Sequence, residues 1–216
     1  MFMDIPDEVA VMTLPNQTLF PQALLPLYIF EQRYRRMLAE ILHSHRMFVV
    51  AMQRTGSSRE SPSTVAGLGL IRVCVDNPDG TSHLILQGMT RVQLTKTVHY
   101  KPFRISRIQM LQTPARDSVA IDALMAKVRD LVSERIRQGL QTQKHAPKAE
   151  SIKEIVTYLD KINDPEQVAD LVSCALLPGS RERQTILETI EIEPRLKHLI
   201  HFLMAEIRQH RKNKPK

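Results

Sequence analysis

The residue types able to do chemistry are present in this sequence, but not at the spacings chemistry needs. His43 and His45, two apart near a predicted helix end, would aim their imidazoles to different sides, and no third ligand stands at a useful distance. His198 and His201, three apart, share one side of a helix. No H-E-x-x-H pattern and no Cys or carboxylate in register accompanies them, so no metal site is expected. Gly67-Leu68-Gly69 lies in a strand-like run without the third glycine of a dinucleotide loop, and G-x-x-x-x-G-K-[ST] is absent, so neither ATP nor a dinucleotide cofactor is expected. Gly56-Ser57-Ser58 and Gly179-Ser180 both lack the second glycine of a nucleophile elbow. Asp76 and Asp79 are explained as turn formers around Asn77-Pro78-Asp79-Gly80 rather than as a general acid and base. The expectation is a protein without a catalytic set and without cofactors.

Binding functions remain, and composition narrows them. With 216 residues, 43% of them hydrophobic, the chain can bury a core, while 5% aromatic content and no Trp argue against stacking platforms for single strands. Cys74 and Cys174 form no framework and read as small buried hydrophobes of a reduced protein. No Lys or Arg precedes Arg33, which removes the basic region of a secretory or transit segment. The most apolar stretch, Leu19 to Phe30, is broken by Pro21 and Pro26 and is too short to span a bilayer. The expected location is the cytoplasm, with no membrane partner. The net charge of +7 suggests nucleic acid until it is located, since five of the Lys and Arg residues lie between Arg208 and Lys216. A ragged basic tail predicts weak, salt-dependent contact with nucleic acid rather than a folded binding face.

The elements that would position any site change character near residue 115. Before it, runs rich in Val, Ile, Leu and Thr predict strands over Val9–Leu14, Met47–Gln53, Leu68–Val75, His83–Gln87, Val92–Val98 and Phe103–Leu111. Asn77-Pro78-Asp79-Gly80 predicts a hairpin turn, and Gly88-Met89-Thr90 a second tight connection. Phe30, Tyr34, Met37, Leu38, Ile41 and Leu42 recur at helical spacing, with Glu31 in the first turn, and this helix is expected to plug one end of a curled sheet. After residue 115 the period is helical. Val119, Leu124, Val128, Leu131 and Val132 mark one helix, Ile152 to Leu159 a second, and Asp164-Pro165 starts a third carrying Val168, Leu171, Val172, Ala175 and Leu176. Ile186, Leu187 and Ile190 mark a fourth; Leu196, Leu199, Ile200, Leu203 and Ile207 mark a last. Thr55–Val65 and Gln141–Glu150 read as mobile.

One stretch is more specific than any of these patterns. Leu14-Pro15-Asn16-Gln17-Thr18-Leu19-Phe20-Pro21, followed by Leu25-Pro26-Leu27-Tyr28-Ile29-Phe30-Glu31-Gln32-Arg33-Tyr34, resembles the opening signature of the Lon N-terminal domain, the substrate-binding domain of ATP-dependent Lon proteases. Gly67, Pro78-Asp79-Gly80, and Gly88 with Arg91 match the family's second block. Asp164-Pro165, Gln184 with Leu187-Glu188, and Arg195-Leu196 match its helical blocks. The resemblance implies an α+β architecture: a PUA-like β pseudo-barrel with one inserted helix over 1–114, an α-helical bundle over 115–209, and a basic tail over 210–216. Walker motifs and a Ser-Lys protease segment are absent from this sequence, so the expectation is a non-catalytic, stand-alone recognition module. Gln22 stands where the family commonly has Gly, which predicts a looser turn after Pro21.

The same resemblance makes Pro15, Phe20, Pro21, Pro26, Phe30, Glu31, Arg33, Tyr34, Gly88 and Arg91 structural motif residues. The three prolines withhold backbone donors, so their segment should wrap the barrel rather than lie centrally in its sheet. Arg33 or Arg91 is expected to pair with Glu31. Tyr28, in an alternating stretch, and Met89, on the expected loop, are the candidate partner contacts. The expected partners are exposed apolar segments of unfolded or partner proteins, with a separate ATPase or protease as a further candidate. Nucleic-acid or small-ligand binding through the barrel and tail is the alternative.

Overall fold

The structure, a computed structural model, describes residues 5–54, 56, 60–114, 118–140 and 157–212. The chain divides into two compact units, Met1–Gln112 and Thr113–Lys216.

The first unit contains β1 (Glu8–Leu14), β2 (Leu24–Ile29), α1 (Gln32–Leu42), β3 (Met47–Met52), β4 (Val65–Asp76), β5 (Ser82–His99) and β6 (Arg104–Leu111). The sheet order is β2-β5-β4-β3-β1-β6, and β6 also pairs with β5. Five strands therefore form a ring of pairings, and β2 stands outside it against β5. β1 and β3, which run parallel, bury both faces. Ala10, Met12, Phe48 and Val50 join one core cluster, while Val9, Val11, Val49 and Ala51 join another. That is why both strands read as unbroken apolar runs rather than alternating ones. α1 fills the first cluster with Tyr34, Met37, Leu38 and Ile41.

Two expectations about this unit are corrected. Gly88-Met89-Thr90 is no connection, because β5 runs unbroken through it and Met89 is an extra residue between Gly69↔Gly88 and Leu68↔Thr90. The glycine is required by close approach rather than by a turn: a Cβ on Gly88 would stand 2.0 Å from the Phe20 carbonyl oxygen. Phe30 lies outside α1 and is exposed, so it is not part of the apolar stripe. The Asn77–Gly80 turn forms as expected, with Gly80 at φ 78° and its N–H donating to Asn77 at 2.9 Å.

In the second unit are α2 (Val119–Leu140), a helical piece at 157–161, α3 (Pro165–Leu176), α4 (Ser180–Glu188) and α5 (Ile192–Lys212). Asp164 caps α3 through its carboxylate, which accepts from the Glu166 N–H at 2.9 Å, with Pro165 at the first helical position. Several predicted core positions turn outward. Val119, Leu171 and Ala175 are exposed, and Ile190 follows the end of α4. Cys174 is exposed rather than buried, and Cys74 is half-buried. α5 continues through Lys212, into the first residues of the expected basic tail, and residues 213–216 lie outside the described ones. Residues 141–156, with the expected mobile stretch and most of the second predicted helix, also lie outside them.

Candidate functional site

The segment between β1 and α1 carries most of the motif residues, and its conformation explains them. Asn16 makes the turn after β1 at φ 62°, with Pro15 exposed beside it. Leu19 and Phe20 are buried, and their carbonyls lie on two glycines, Gly67 of β4 and Gly88 of β5, where a Cβ would come within 2.0 Å of either oxygen. The chain turns after Pro21 through Gln22, which takes φ 63° despite its side chain. The turn is closed, contrary to the looser one expected: the Gln22 N–H donates to the Gly88 carbonyl at 2.8 Å and the Ala23 N–H to that of Phe20 at 3.2 Å. Two independent bonds hold a backbone conformation that is unfavourable for glutamine.

β2 then pairs with β5, and its alternation separates the side chains. Leu25, Leu27 and Ile29 face the core, while Leu24, Pro26 and Tyr28 face out. The outward set continues across neighbouring strands by register. Tyr28 lies opposite His83, which lies opposite Val75, and Pro26 lies opposite Ile85, which lies opposite Val73. Tyr28 stacks on Phe30 with ring centroids 5.8 Å apart and meets the His83 ring at 4.8 Å. Leu24, Tyr28, Phe30, Val73 and Val75 are 62, 48, 60, 50 and 56% exposed. An apolar surface three strands wide is thus presented by β2, β5 and β4. Met89 does not join Tyr28 in it. It stands six positions along β5 from His83, roughly 20 Å of strand, and it is half-buried at the bulge.

The charged motif residues gather elsewhere, in a cleft of about 190 Å³ lined by Val11, Arg33, Tyr34, Glu60, Tyr100, Phe103 and Arg104. Glu31 occupies the N-cap position of α1, not its first turn, and its carboxylate accepts from Arg33 Nε at 3.0 Å. Arg33 also pairs with Glu60 and lies 4.3 Å from the centroid of the Tyr34 ring. The Tyr34 hydroxyl donates to the Thr13 carbonyl and accepts from its N–H, both at 3.2 Å. Burial first, then the Glu60 charge, pushes the Tyr34 phenol up to about 12. Arg91, the other candidate partner of Glu31, is instead buried in β5, in register with Gly67 and Leu111. Glu60 was missed in the sequence because it sits in a Ser- and Pro-rich stretch read as mobile. Residues 60–65 are tied down: Ser63 N–H donates to Met52 and Arg104 Nη2 to the Glu60 carbonyl, at 2.7 and 3.0 Å, while residues 55 and 57–59 lie outside the described ones.

Among the described residues no group of three His, Cys, Asp or Glu side chains could hold a metal ion. His43 bonds the Ala39 carbonyl, and His45 accepts from the Met47 N–H, as local structure requires. No described helix is long and apolar enough to cross a membrane.

The family model of the ATP-dependent protease La (LON) substrate-binding domain matches residues 8–205. The chain belongs to this family. A Lon protease of Dictyoglomus thermophilum is 23% identical over 208 residues, covering 94% of this chain and 25% of the relative. One from Brucella suis is 26% identical over 202 residues, covering 92% and 24%. The chain therefore spans about a quarter of the length of the curated relatives it matches. Two solved structures share the fold. The N-terminal domain of a Mycobacterium avium complex Lon protease has a TM-score of 0.70 at 18% identity, covering 91% of this chain and 98% of that one. A Lon N-terminal domain protein from Xanthomonas campestris has a TM-score of 0.65 at 16% identity, covering 90% and 98%. The matched region is a substrate-binding domain, which is not itself catalytic.

Proposed function

We propose that this Lon-type domain captures exposed apolar segments of unfolded proteins on the outer surface formed by β2, β5 and β4, for hand-over to an ATPase and protease. The observation that carries the reading is the pair of cross-strand rows Tyr28–His83–Val75 and Pro26–Ile85–Val73, extended by Leu24 and Phe30. A site that must accept many sequences relies on apolar area rather than on fixed polar geometry, and an exposed aromatic and aliphatic surface of this kind marks an interaction site. Affinity is then modest, roughly micromolar, and nearly independent of salt. Met89 contributes little, being far from Tyr28 along β5.

The test is binding of a reduced, carboxymethylated globular protein by fluorescence anisotropy. Tyr28→Ser combined with Phe30→Ser should weaken capture about tenfold or more, because aromatic anchors carry most of such an interface. The melting temperature should stay nearly unchanged, since both side chains are already exposed. Undiminished capture by the double variant would move the site elsewhere, and absence of binding by the parent protein would end the substrate-capture reading.

A further inference from the structure

β2 offers more than side chains, because one of its two backbone edges is open. It stands at the end of the strand order with β5 as its neighbour, and among the described residues its peptide groups make no backbone hydrogen bond outside that ladder. Which groups are left over can be read from the bonding phase. The Gly88 N–H donates to the Ala23 carbonyl at 2.8 Å, one position before the ladder pair Leu24↔Gln87. In an antiparallel pair the bonded residues recur every second position, so Leu25, Leu27 and Ile29 exchange bonds with Leu86, Leu84 and Ser82. Leu24, Pro26 and Tyr28 therefore turn their peptide groups away from β5. Pro26 agrees with this phase, since a proline is tolerated in a strand where its nitrogen faces the open edge. The 4.8 Å approach of the Tyr28 and His83 rings agrees as well, side chains being closer in the non-bonded pairs.

The open edge thus presents N–H and C=O at Leu24 and Tyr28, and C=O alone at Pro26. No charge blunts it: β2 reads Leu-Leu-Pro-Leu-Tyr-Ile, and Pro26 alone protects the edge by withholding one N–H. Pro26 also decides between occupants. In the antiparallel pairing of two β2 strands that uses both Leu24 and Tyr28 of each copy, Pro26 faces Pro26. Two carbonyls would then meet without a donor between them, so self-pairing is penalised. A foreign strand brings an N–H to that position and satisfies the carbonyl.

We propose that the free edge of β2 takes up an extended, alternately apolar segment of another polypeptide as an added strand, through the outward peptide groups of Leu24, Pro26 and Tyr28. This rests on the substrate-capture reading and gives it a binding mode: backbone bonds supply sequence-independent affinity, and every second side chain of the guest lies beside Leu24, Pro26 and Tyr28 on the exposed face.

The experiment uses the full chain and a short fluorescein-labelled peptide of alternating Thr and Val with lysine-flanked ends, together with two N-methylated versions, one methylated at every Val and one at every Thr. Because alternation fixes which face the valines take, one version should lose binding by roughly tenfold or more while the other binds like the parent. In the protein, Leu24→Pro removes an outward N–H and should weaken the parent peptide several-fold, with the melting curve confirming that β2 remains in place. Equal binding of both methylated versions would overturn the added strand while leaving capture by the apolar face intact. No binding of the parent peptide would overturn both. Concentration-dependent dimerisation abolished by Leu24→Pro would give the edge to a second copy and overturn the proposal.

Discussion

Arg33 and Arg195 each hold carboxylates, Arg33 one local and one distant in sequence and Arg195 two distant ones, but under opposite solvent conditions. Arg195, near the start of α5, is 0% exposed. Its guanidinium donates to the carbonyls of Thr189 at 2.7 Å and Ile190 at 2.5 Å and to Thr113 Oγ1 at 3.0 Å, and it lies 3.2 Å from Glu166 and 3.9 Å from Asp170. Arg33 pairs with Glu31 and Glu60 while its side chain stays 37% exposed. A guanidinium cut off from water must be fully partnered, and its removal leaves the buried Asp170 carboxylate without that cation, whereas Glu166, 37% exposed, is open to water. A half-solvated one can trade any partner for water at little cost. The difference teaches that the helical motif block containing Arg195 ties its unit together, whereas the Glu31–Arg33 pair makes a much smaller demand on stability.

The largest expected effect breaks the buried network. Arg195→Met should destabilise the protein by about 3–5 kcal/mol, the usual cost of removing one partner from a buried charge cluster. Arg195→Lys should recover only part of it, because an ammonium lacks the planar fork that reaches two carbonyls and a carboxylate together. Urea unfolding measures both, and a loss under about 1 kcal/mol for the Met variant would show that the network is not needed for stability.

A smaller effect sharpens the other side of the comparison through Tyr34. The phenol loses its proton near 10 in the unfolded chain and at about 12 in the folded one. Between those values the folded state holds more protons than the unfolded state. The stability is therefore complete below pH 10 and falls as pH rises towards 12, by up to roughly 2 kcal/mol. Tyr34→Phe should remove this part of the slope while costing about 1 kcal/mol at neutral pH for the lost bonds to Thr13. Identical slopes for the two proteins above pH 10 would refute the raised phenol.

These contrasts were only partly legible in the sequence. Runs of Val, Ile, Leu and Thr found β1, β3, β4 and β6, and 3.6-residue spacing found α1, because each of these signals is local. It failed where a partner is distant in the chain. Gly88 signals a turn to its neighbours, yet its lack of a side chain answers the Phe20 carbonyl. Nothing near Arg195 in the sequence announces Thr113 or Glu166, and α3 buries Asp170 while exposing Leu171, reversing what apolar spacing implied. The resemblance to the Lon domain flagged Arg195 and Gly88 as positions without giving their reasons. Tyr28 was readable as exposed from alternation alone. The rows joining it to Val75 needed the register of β4, β5 and β2.

The smallest expected effect belongs to Arg33, and its smallness is the point. Replacing it by Met keeps the stem that covers the Tyr34 ring and removes the charge. Glu31 and Glu60 lose their cation, but Glu31 is 40% exposed and Glu60 33%, so water replaces much of what is lost. Exposed pairs of this kind contribute about 0–1 kcal/mol, and added salt screens them further. Arg33→Met should therefore cost no more than about 1 kcal/mol at low ionic strength, and less at high salt. Urea titrations of both proteins at two salt concentrations would measure it. A loss of several kcal/mol that ignores salt would mean that Arg33 is as deeply committed as Arg195, and the contrast between the two networks would fail.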